Sequence, residues 1–328
     1  MKQQRLGLQV LLSLLMLCGV VKGEARTARV AVPALNLSSI AFIAAKEKNY
    51  YREESIDVEL ILMSAPVATL ALIGGDVQFS GAAGAALTSA VRGAHLRFIF
   101  HTYYKPLYWL YANPGIRDVG GLKGKKVGIS GIGSGPYFLL LEVLKRNGLE
   151  GGRDVAILTT GVQSSSYAAL VSGSVDATSL TPPLMFKAKE AGFRELVSLV
   201  NEDLIELQSA VILREGLLQS DPILVEKFLR GTVKGFFYAR DNRSGTIPIV
   251  ARLLKVQEDT ATKTYDLYRS AMTPDGTVSS ELQKRFVEDI VKRMKLKETP
   301  SLEKLFDYSL TRKIGAELRA RGWSPKER

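Results

Sequence analysis

A pattern of strand, glycine turn and helix occurs twice along this 328-residue chain. The segment "RVAVPALNLSS" from Arg29 is followed 97 residues later by "KVGISGIGSGP", and "VELIL" from Val58 is followed 97 residues later by "VAILT". A third segment, "ALIGGDVQFSG" from Ala71, is followed 98 residues later by "ALVSGSVDATS". A strand, a glycine and a helix also recur in unrelated α/β units. The agreement of order and spacing in three successive segments nevertheless predicts two lobes of one design.

Short apolar runs alternate with helical patterns in the first copy of the repeat. They predict strands at 30–32, 58–62, 77–79 and 96–100, and helices at 40–48, 65–73 and 85–92. This alternation is typical of an α/β fold with mostly parallel sheets. Because open sheets of this kind bind ligands beyond the carboxyl ends of their strands, two such sheets facing each other would form a cleft.

The C-terminal third of the chain is predicted to be helical. In "SDPILVEKFLRGTVKGFFYAR", Ser220 or Asp221 precedes Pro222, and apolar residues follow at helical spacing. Further helices are predicted at 247–256, 260–271, 280–294 and 302–321.

The first 25 residues predict a secretory signal peptide. Lys2 and Arg5 precede an uncharged apolar stretch that extends to Val21, and a small-x-small triplet ends at Ala25. An uncleaved anchor and a lipid attached to Cys18 are the alternatives, but the apolar stretch is short for a membrane span and the residue before Cys18 is not small. We therefore expect cleavage and a periplasmic protein without cysteine.

Charge is distributed along the whole chain. The formal net charge is +11, but the basic residues are scattered, with local clusters only at 123–126 and 292–297. Basic and aromatic residues do not interleave as they do on nucleic-acid-binding surfaces, so we expect no nucleic-acid partner.

No Cys/His cluster, Walker loop or G-x-S-x-G elbow occurs, and we predict neither a metal nor a cofactor.

Three longer segments resemble a known family. They are "KNYYREESIDVELILMSAPVATLALIGGDVQFSGAAGAALTSAVRGAHLRFIF", "GLKGKKVGISGIGSGPYFLLLEVLKRNGL" and "ALVSGSVDATSLTPPLMFKAKEAGFREL". Their motifs are similar to those of ABC-transporter periplasmic substrate-binding proteins of the nitrate/sulfonate/taurine and thiamine-precursor-binding type. The resemblance extends from about residue 29 to residue 240, and more loosely to the end. It implies the type II periplasmic-binding-protein fold, in which two lobes are joined by two strand crossings.

The resemblance also implies how the chain is divided. One lobe would contain residues 29–111 and 210–328, and the other residues 112–209, with the crossings at "LYWLYA" and "LQSAVIL". The implied partners are a small-molecule ligand and an ABC-type membrane permease, and we expect a monomer. The ligand is expected to be a small anion or a heteroaromatic molecule.

Two other kinds of function remain open at this point. The resembling family includes a synthase of a pyrimidine precursor that depends on histidine and a cysteine-rich motif. Here Cys18 lies in the predicted signal and the histidines are His95 and His101, so we expect no enzymatic activity. A general base at His101 would need a nucleophile and an orienting group that the sequence does not reveal. The other possibility is a sensor module that acts on a membrane kinase.

The glycine turn after the first strand of the second lobe is a candidate ligand site. Gly131, Gly133 and Gly135 lead into a helix, with Ser134 as a candidate cap and Pro136 in the first turn. Unpaired N–H groups at a helix start attract an anion or a carbonyl oxygen. A simple turn is the other interpretation. The spacing GxGxxG of dinucleotide-binding proteins is absent.

The corresponding turns supply the other candidates for ligand binding. Asn and Ser residues there could equally be helix caps, and small residues would let a ligand approach the backbone. The full set of predicted ligand-binding residues is Asn36, Ser38, Ser39, Ser64, Gly81, Ala82, Ser134, Gly135, Tyr137, Ser165 and Thr181.

Overall fold

The protein contains two five-stranded mixed sheets flanked by helices. The computed structural model describes residues 26–204, 206 and 208–325, so the predicted signal peptide at 1–25 lies outside the described residues. The two sheets confirm the predicted two-lobed α/β fold. In the described part of the chain, no helix is long and apolar enough to cross a membrane.

The first sheet combines strands from both ends of the chain. Its members are β1 (Arg26–Val32), β2 (Ile56–Leu62), β3 (Phe79–Ser80), β4 (Leu96–Tyr103) and β10 (Gln208–Arg214). Their spatial order is β2-β1-β3-β10-β4. Strand β1 pairs in parallel with β2 and β3, whereas β10 runs antiparallel between β3 and β4.

The second sheet repeats this arrangement. Its members are β5 (Trp109–Ala112), β6 (Lys126–Ile129), β7 (Ala156–Thr159), β8 (Ala177–Leu180) and β9 (Arg194–Ser198). The spatial order is β7-β6-β8-β5-β9, with β6 parallel to β7 and β8 and with β5 antiparallel to β8 and β9. Strands β6, β7 and β8 therefore correspond to β1, β2 and β3, as the sequence repeat predicts. Each sheet receives one antiparallel strand from a segment that crosses over from the other sheet.

Fourteen helices are present in the described residues. Those of the first half are α1 (Ile40–Glu47), α2 (Tyr50–Glu53), α3 (Ala65–Gly74), α4 (Ala83–Val91), α5 (Gly135–Arg146), α6 (Gln163–Val171) and α7 (Leu184–Glu190). Those of the second half are α8 (Glu215–Ser220), α9 (Pro222–Asp241), α10 (Arg243–Leu254), α11 (Glu258–Ser270), α12 (Ser280–Arg293), α13 (Leu302–Leu305) and α14 (Ser309–Ala320).

Equivalent glycines reverse the chain after α3 and α6. Gly75 has a φ of 90° and Gly173 has a φ of 71°, in the left-handed region that a side chain rarely adopts. Two residues after each of them, Val77 and Val175 are each 1% exposed. The glycine turn thus brings the chain from a helix back into the core at the same place in both copies of the repeat.

The predicted helix at 302–321 is wrong as a single element. The chain forms α13 and α14, and Phe306 between them has extended backbone and makes a parallel bridge to Phe98 of β4. The Asp307 N–H also donates to the Phe98 carbonyl oxygen at 3.0 Å. Pairing with the edge of the first sheet therefore interrupts the helix, and the Asp307 carboxylate accepts from the Ser309 N–H at 2.9 Å as the chain enters α14.

His101 packs inside the first lobe. The side chain is fully buried on β4, and Nδ1 lies 2.8 Å from the Tyr308 hydroxyl. Its ring stacks on that of Phe98, with 5.7 Å between centroids. Burial lowers the pKa of His101 to about 3. The side chain is therefore neutral at physiological pH and packs in the core.

Close contact between α9 and α1 depends on Gly235. A Cβ at this position would overlap the Ala41 carbonyl oxygen and would lie 2.5 Å from the Ala45 nitrogen. Both are backbone atoms of α1, so they cannot yield as the end of a flexible side chain can. The glycine lets the long helix lie directly on α1, which itself covers the first sheet.

We therefore expect the Gly235→Ala substitution to destabilise the protein. The Cβ can be accommodated only by separating the two helices, which should lower the free energy of unfolding by about 1–3 kcal/mol or more. Chemical denaturation measures the change. Gly315→Ala is the matched control, because the nearest atom to its Cβ would be the Arg319 Nη1 at 3.5 Å, and this change should be neutral or stabilising. Equal effects of the two substitutions would contradict the close packing.

Candidate ligand-binding site

The N-termini of α4 and α5 face each other between the two sheets. A Cβ placed on Gly84, in the first turn of α4, would lie 3.8 Å from the nitrogen of Gly135, the first residue of α5. Helix α4 follows β3 and α5 follows β6, so both helices start at the carboxyl edge of their sheet. Helix starts carry partial positive charge and N–H groups without partners within the helix. The approach of two such ends marks this place as the candidate site.

Ser134 caps α5. Its Oγ accepts from the Tyr137 N–H at 3.4 Å and from the Ser130 hydroxyl at 3.2 Å, and donates to the Gly131 carbonyl oxygen at 2.6 Å. The capping interpretation of this serine is confirmed, and its hydroxyl proton is already committed within the turn. Contact of Ser134, Gly135 or Tyr137 with a ligand stays a prediction. Tyr137 is half-buried and packs edge-on against Phe138.

The first turn of the first lobe is held by similar local bonds. The Asn36 Oδ1 accepts from the N–H of Ser38 at 2.8 Å and from its hydroxyl at 2.7 Å. The hydroxyl of Ser39 donates to the Ala34 carbonyl oxygen at 2.7 Å, and Ser39 is 2% exposed. These side chains therefore fold the turn that leads into α1, and their roles in ligand binding stay predictions.

At the third turn of the first lobe, three backbone N–H groups have partners inside the protein. The Gly81 N–H donates to the Ala31 carbonyl oxygen at 2.8 Å, and the Ala82 N–H donates to the Ser80 hydroxyl at 3.1 Å. A Cβ on Gly81 would lie 3.3 Å from the ring of Phe42, so packing explains this glycine. The Ala83 N–H also donates to the Gly81 carbonyl oxygen at 3.0 Å, so the N–H groups that remain for a ligand are those of Gly84 and Ala85 in the first turn of α4.

The remaining predicted residues lie in different surroundings. Ser64 and Ser165 are exposed, whereas the neighbouring Ser166 is buried and its hydroxyl lies 2.7 Å from that of Thr160. Thr181 is buried, and its N–H donates to the Gln163 Oε1 at 2.9 Å. The side chain of Thr181 also hydrogen-bonds Tyr268 of α11. Helix α11, which packs with the C-terminal helices, therefore reaches the third turn of the second lobe.

Glu206 is the residue of this site that the sequence reasoning missed. A Cβ on Gly135 would overlap Glu206 Oε1 and would lie 2.7 Å from Glu206 Cδ, so the carboxyl group lies directly against the start of α5. Glu206 is 8% exposed, and its Oε2 accepts from Gln208 Nε2 at 2.8 Å. Gln208 in turn hydrogen-bonds Tyr108. A buried polar chain from the two crossing segments thus ends at the helix start.

Glu206 was missed because "NEDLIELQ" resembles a solvated acidic loop. A usable signal does exist in the topology: the strand that follows, β10, runs antiparallel to β4, with Gln208 opposite Tyr103. A crossing strand in this orientation begins at the carboxyl edge of the sheet. Polar residues immediately before it must therefore lie where ligands bind.

Burial controls the ionisation of Glu206. Removal from water raises the pKa of this carboxyl to about 8, although the Gln208 hydrogen bond and the positive charge of Arg293 both act to lower it. Arg293 ends α12, where it pairs with Asp289 and lies 5.2 Å from the centroid of the Phe138 ring of α5. The site therefore contains a carboxyl group that changes charge close to physiological pH.

The chain belongs to the NMT1/THI5-like family, whose model matches residues 36–244. No protein of curated function matches its sequence.

Solved structures share the fold at low sequence identity. The ligand-binding component of an ABC-type import system from Staphylococcus aureus, with zinc bound, has a TM-score of 0.72 at 17% identity, covering 88% of this chain and 99% of that one. The periplasmic aliphatic sulphonate-binding protein SsuA from Escherichia coli has a TM-score of 0.66 at 18% identity (85% and 91%). The periplasmic nitrate-binding protein NrtA from Synechocystis PCC 6803 has a TM-score of 0.71 at 14% identity (93% and 93%). These similarities establish the periplasmic-binding-protein fold.

Contact between Gly135 and Glu206 can be tested by a double-mutant cycle. Gly135→Ala must displace the carboxyl from Gln208, which should destabilise the protein by about 1–3 kcal/mol. In a Glu206→Ala background the added methyl group has room, so most of that cost should disappear. Gly131→Ala is the control, because no atom lies within 4 Å of its Cβ, and it should change stability by less than about 0.5 kcal/mol. Additive effects of Gly135→Ala and Glu206→Ala would refute the contact.

The raised pKa of Glu206 predicts a loss of stability as the pH rises. The folded protein holds this proton more tightly than the unfolded chain, so the stabilisation is complete below about pH 4 and is lost by about pH 8. His101 is neutral in the folded protein but still partly protonated in the unfolded chain near pH 6.5; this contribution is the same in Glu206→Gln, so the difference between the two proteins isolates Glu206. Between about pH 6.5 and pH 8 we expect the unfolding free energy to fall by about 1.5 kcal/mol more than in Glu206→Gln. Parallel pH profiles from chemical denaturation would contradict this assignment.

Proposed function

We propose that the protein is an exported solute-binding protein that closes two lobes over a small molecule and delivers it to an ABC-type permease. The observation that carries the proposal is the meeting of two helix starts, those of α4 and α5, between sheets of identical strand order. The sequence predicts an anionic or heteroaromatic ligand. Membership in the NMT1/THI5-like family and the fold shared with named binding proteins support a binding role.

The predicted lobes are residues 29–111 with 210–328 and residues 112–209, and we propose that they move as two bodies whose boundaries follow the sheets, so that Trp109–Tyr111 move with the second lobe and Gln208–Ser209 with the first. Strand β5 pairs with β8 and β9, which puts Trp109–Ala112 in the second sheet and confines the first crossing to the segment between Tyr103 and Trp109. The second crossing leads from β9 to β10 and includes Glu206. Because both crossings join the sheets beside the candidate site, rotation about them would open and close it.

Two described contacts at the rim would have to break for the lobes to open. The Arg285 Nη2 of α12 lies 2.9 Å from the Asp203 Oδ1, and both side chains are exposed. An exposed pair of this kind contributes only about 0–1 kcal/mol. Arg293 of α12 also lies over the ring of Phe138 of α5. A ligand that bridges the two helix starts would therefore contribute much of the energy of closure.

The proposed ligand contacts are the predicted turn residues together with Glu206, whose carboxyl adjoins Gly135. We also propose a periplasmic location after removal of residues 1–25, and a monomeric state. An enzymatic activity forms no part of the proposal. In the described residues no group of three His, Cys, Asp or Glu side chains could hold a metal ion.

A ligand screen tests the binding role. Purified protein is heated with nitrate, sulfonates, carboxylates, amino acids, amines and thiamine precursors. At 100 times the dissociation constant a true ligand stabilises the folded state by about 2.7 kcal/mol, which should raise Tm by several degrees. Small-angle scattering with a saturating ligand should show a smaller radius of gyration.

Binding without compaction would contradict lobe closure while leaving binding intact. A flat response to the whole panel would contradict the proposed function. Recovery of the bound compound unchanged after long incubation is the expected result, and its consumption would favour an enzyme over a binding protein.

A further inference from the structure

The Glu206 carboxyl and a bound anion would compete for one place. Oε1 of Glu206 lies against Gly135 at the start of α5, and Gly84 at the start of α4 faces the same residue. The N–H groups and partial positive charge that would attract an anion are therefore already next to a carboxyl group that the protein itself supplies. Glu206 is more than nine-tenths buried, so solvent would screen the repulsion between two negative charges poorly.

Polar and charged neighbours face Glu206 from several elements. Gln208 donates to Oε2, and the hydroxyls of Tyr108 and Tyr268 lie close enough for the carboxylate charge to raise their pKa values. Arg293 of α12 supplies the positive charge that acts on Glu206, but its guanidinium also pairs with Asp289 and covers the ring of Phe138. The cation is thus shared with another carboxylate, which leaves Glu206 able to accept further hydrogen bonds from a donor.

We infer that Glu206 makes this site selective for a small ligand that presents a cationic nitrogen, such as an amine or an amidine, and that the ionised carboxylate disfavours anions. The inference rests on the proposed function and replaces the anionic class that the turn chemistry predicts. A nitrogen cation bearing several N–H donors can bridge the carboxylate, whereas a nitrate or sulfonate would meet it as a like charge.

Binding of such a ligand should be linked to the release of a proton. Glu206 is mostly protonated at pH 7 in the free protein, and a cation binds the ionised form better. The apparent affinity should therefore rise up to tenfold per pH unit below about pH 8 and level off above it. An anion should show the opposite dependence, because it would require the protonated carboxyl.

Matched probes of opposite charge test the inference. Benzamidine, benzylamine, putrescine and agmatine are compared with benzoate, benzenesulfonate, glutarate and nitrate, by thermal shift and by calorimetry from pH 6 to pH 9. At pH 8 to 9 we expect saturable binding from the cationic set only, with an affinity for cations that rises between pH 6 and pH 8. In Glu206→Gln we expect cation affinity to fall at least tenfold and its pH dependence to disappear. Glu202→Gln is the control, because Glu202 lies in the same segment and pairs with Arg146 near the surface; it should bind as the unmodified protein does.

The possible results separate the inference from the proposed function. Binding of an anionic probe at pH 8 to 9 that Glu206→Gln leaves unchanged would overturn the charge selectivity and retain a solute-binding protein. Cation binding that Glu206→Gln does not weaken would also overturn it, since another group would then hold the nitrogen. No response to either set, with Glu206→Gln folded by circular dichroism, would count against the proposed function and the inference together.

Discussion

The direction of the two crossing strands determines where the functional chemistry of this protein can lie. Strands β5 and β10 run antiparallel to their neighbours, so each begins at the carboxyl edge of its sheet. The parallel strands end at that same edge, and their turns lead into α4 and α5. The segments that connect the two sheets and the turns that can bind a ligand are therefore adjacent by topology. A polar residue in a crossing segment therefore lies both in the link between the sheets and beside the candidate site.

Much of the fold follows from local patterns in the sequence. The 97-residue repeat correctly predicts the equivalence of β1, β2 and β3 with β6, β7 and β8, because each glycine turn, such as those at Gly75 and Gly173, depends only on its own backbone. The helix predicted at 302–321 is wrong because the bridge between Phe306 and Phe98 joins residues far apart in the chain. Local propensity cannot report a pairing of that kind.

In the candidate site, too, some features follow from local sequence and others depend on contacts between distant residues. Asn36 and Ser134 have the polar side chains that begin helices, and both form the expected caps. Helix capping alone is therefore enough to explain why Asn and Ser occur at these two positions, without any contact to a ligand. Glu206 has no local sequence signature. Its place in the candidate site depends on contact with Gly135, a residue 71 positions earlier. Glu206, the group in the site that bears most directly on ligand charge, is therefore the one that local sequence patterns are least able to predict.

The energetics of the site and of its rim are very different. Exposed contacts such as Arg285 with Asp203 contribute little and weaken with salt. Glu206, by contrast, is a buried carboxyl whose ionisation is costly unless positive charge or N–H donors surround it. Two facing helix starts supply part of that environment, and Gln208 supplies one donor. Whatever completes the set of donors around this carboxyl also holds α4 and α5 together. In the proposed mechanism, the charge state of Glu206 and the closure of the two lobes are therefore coupled through the same few atoms.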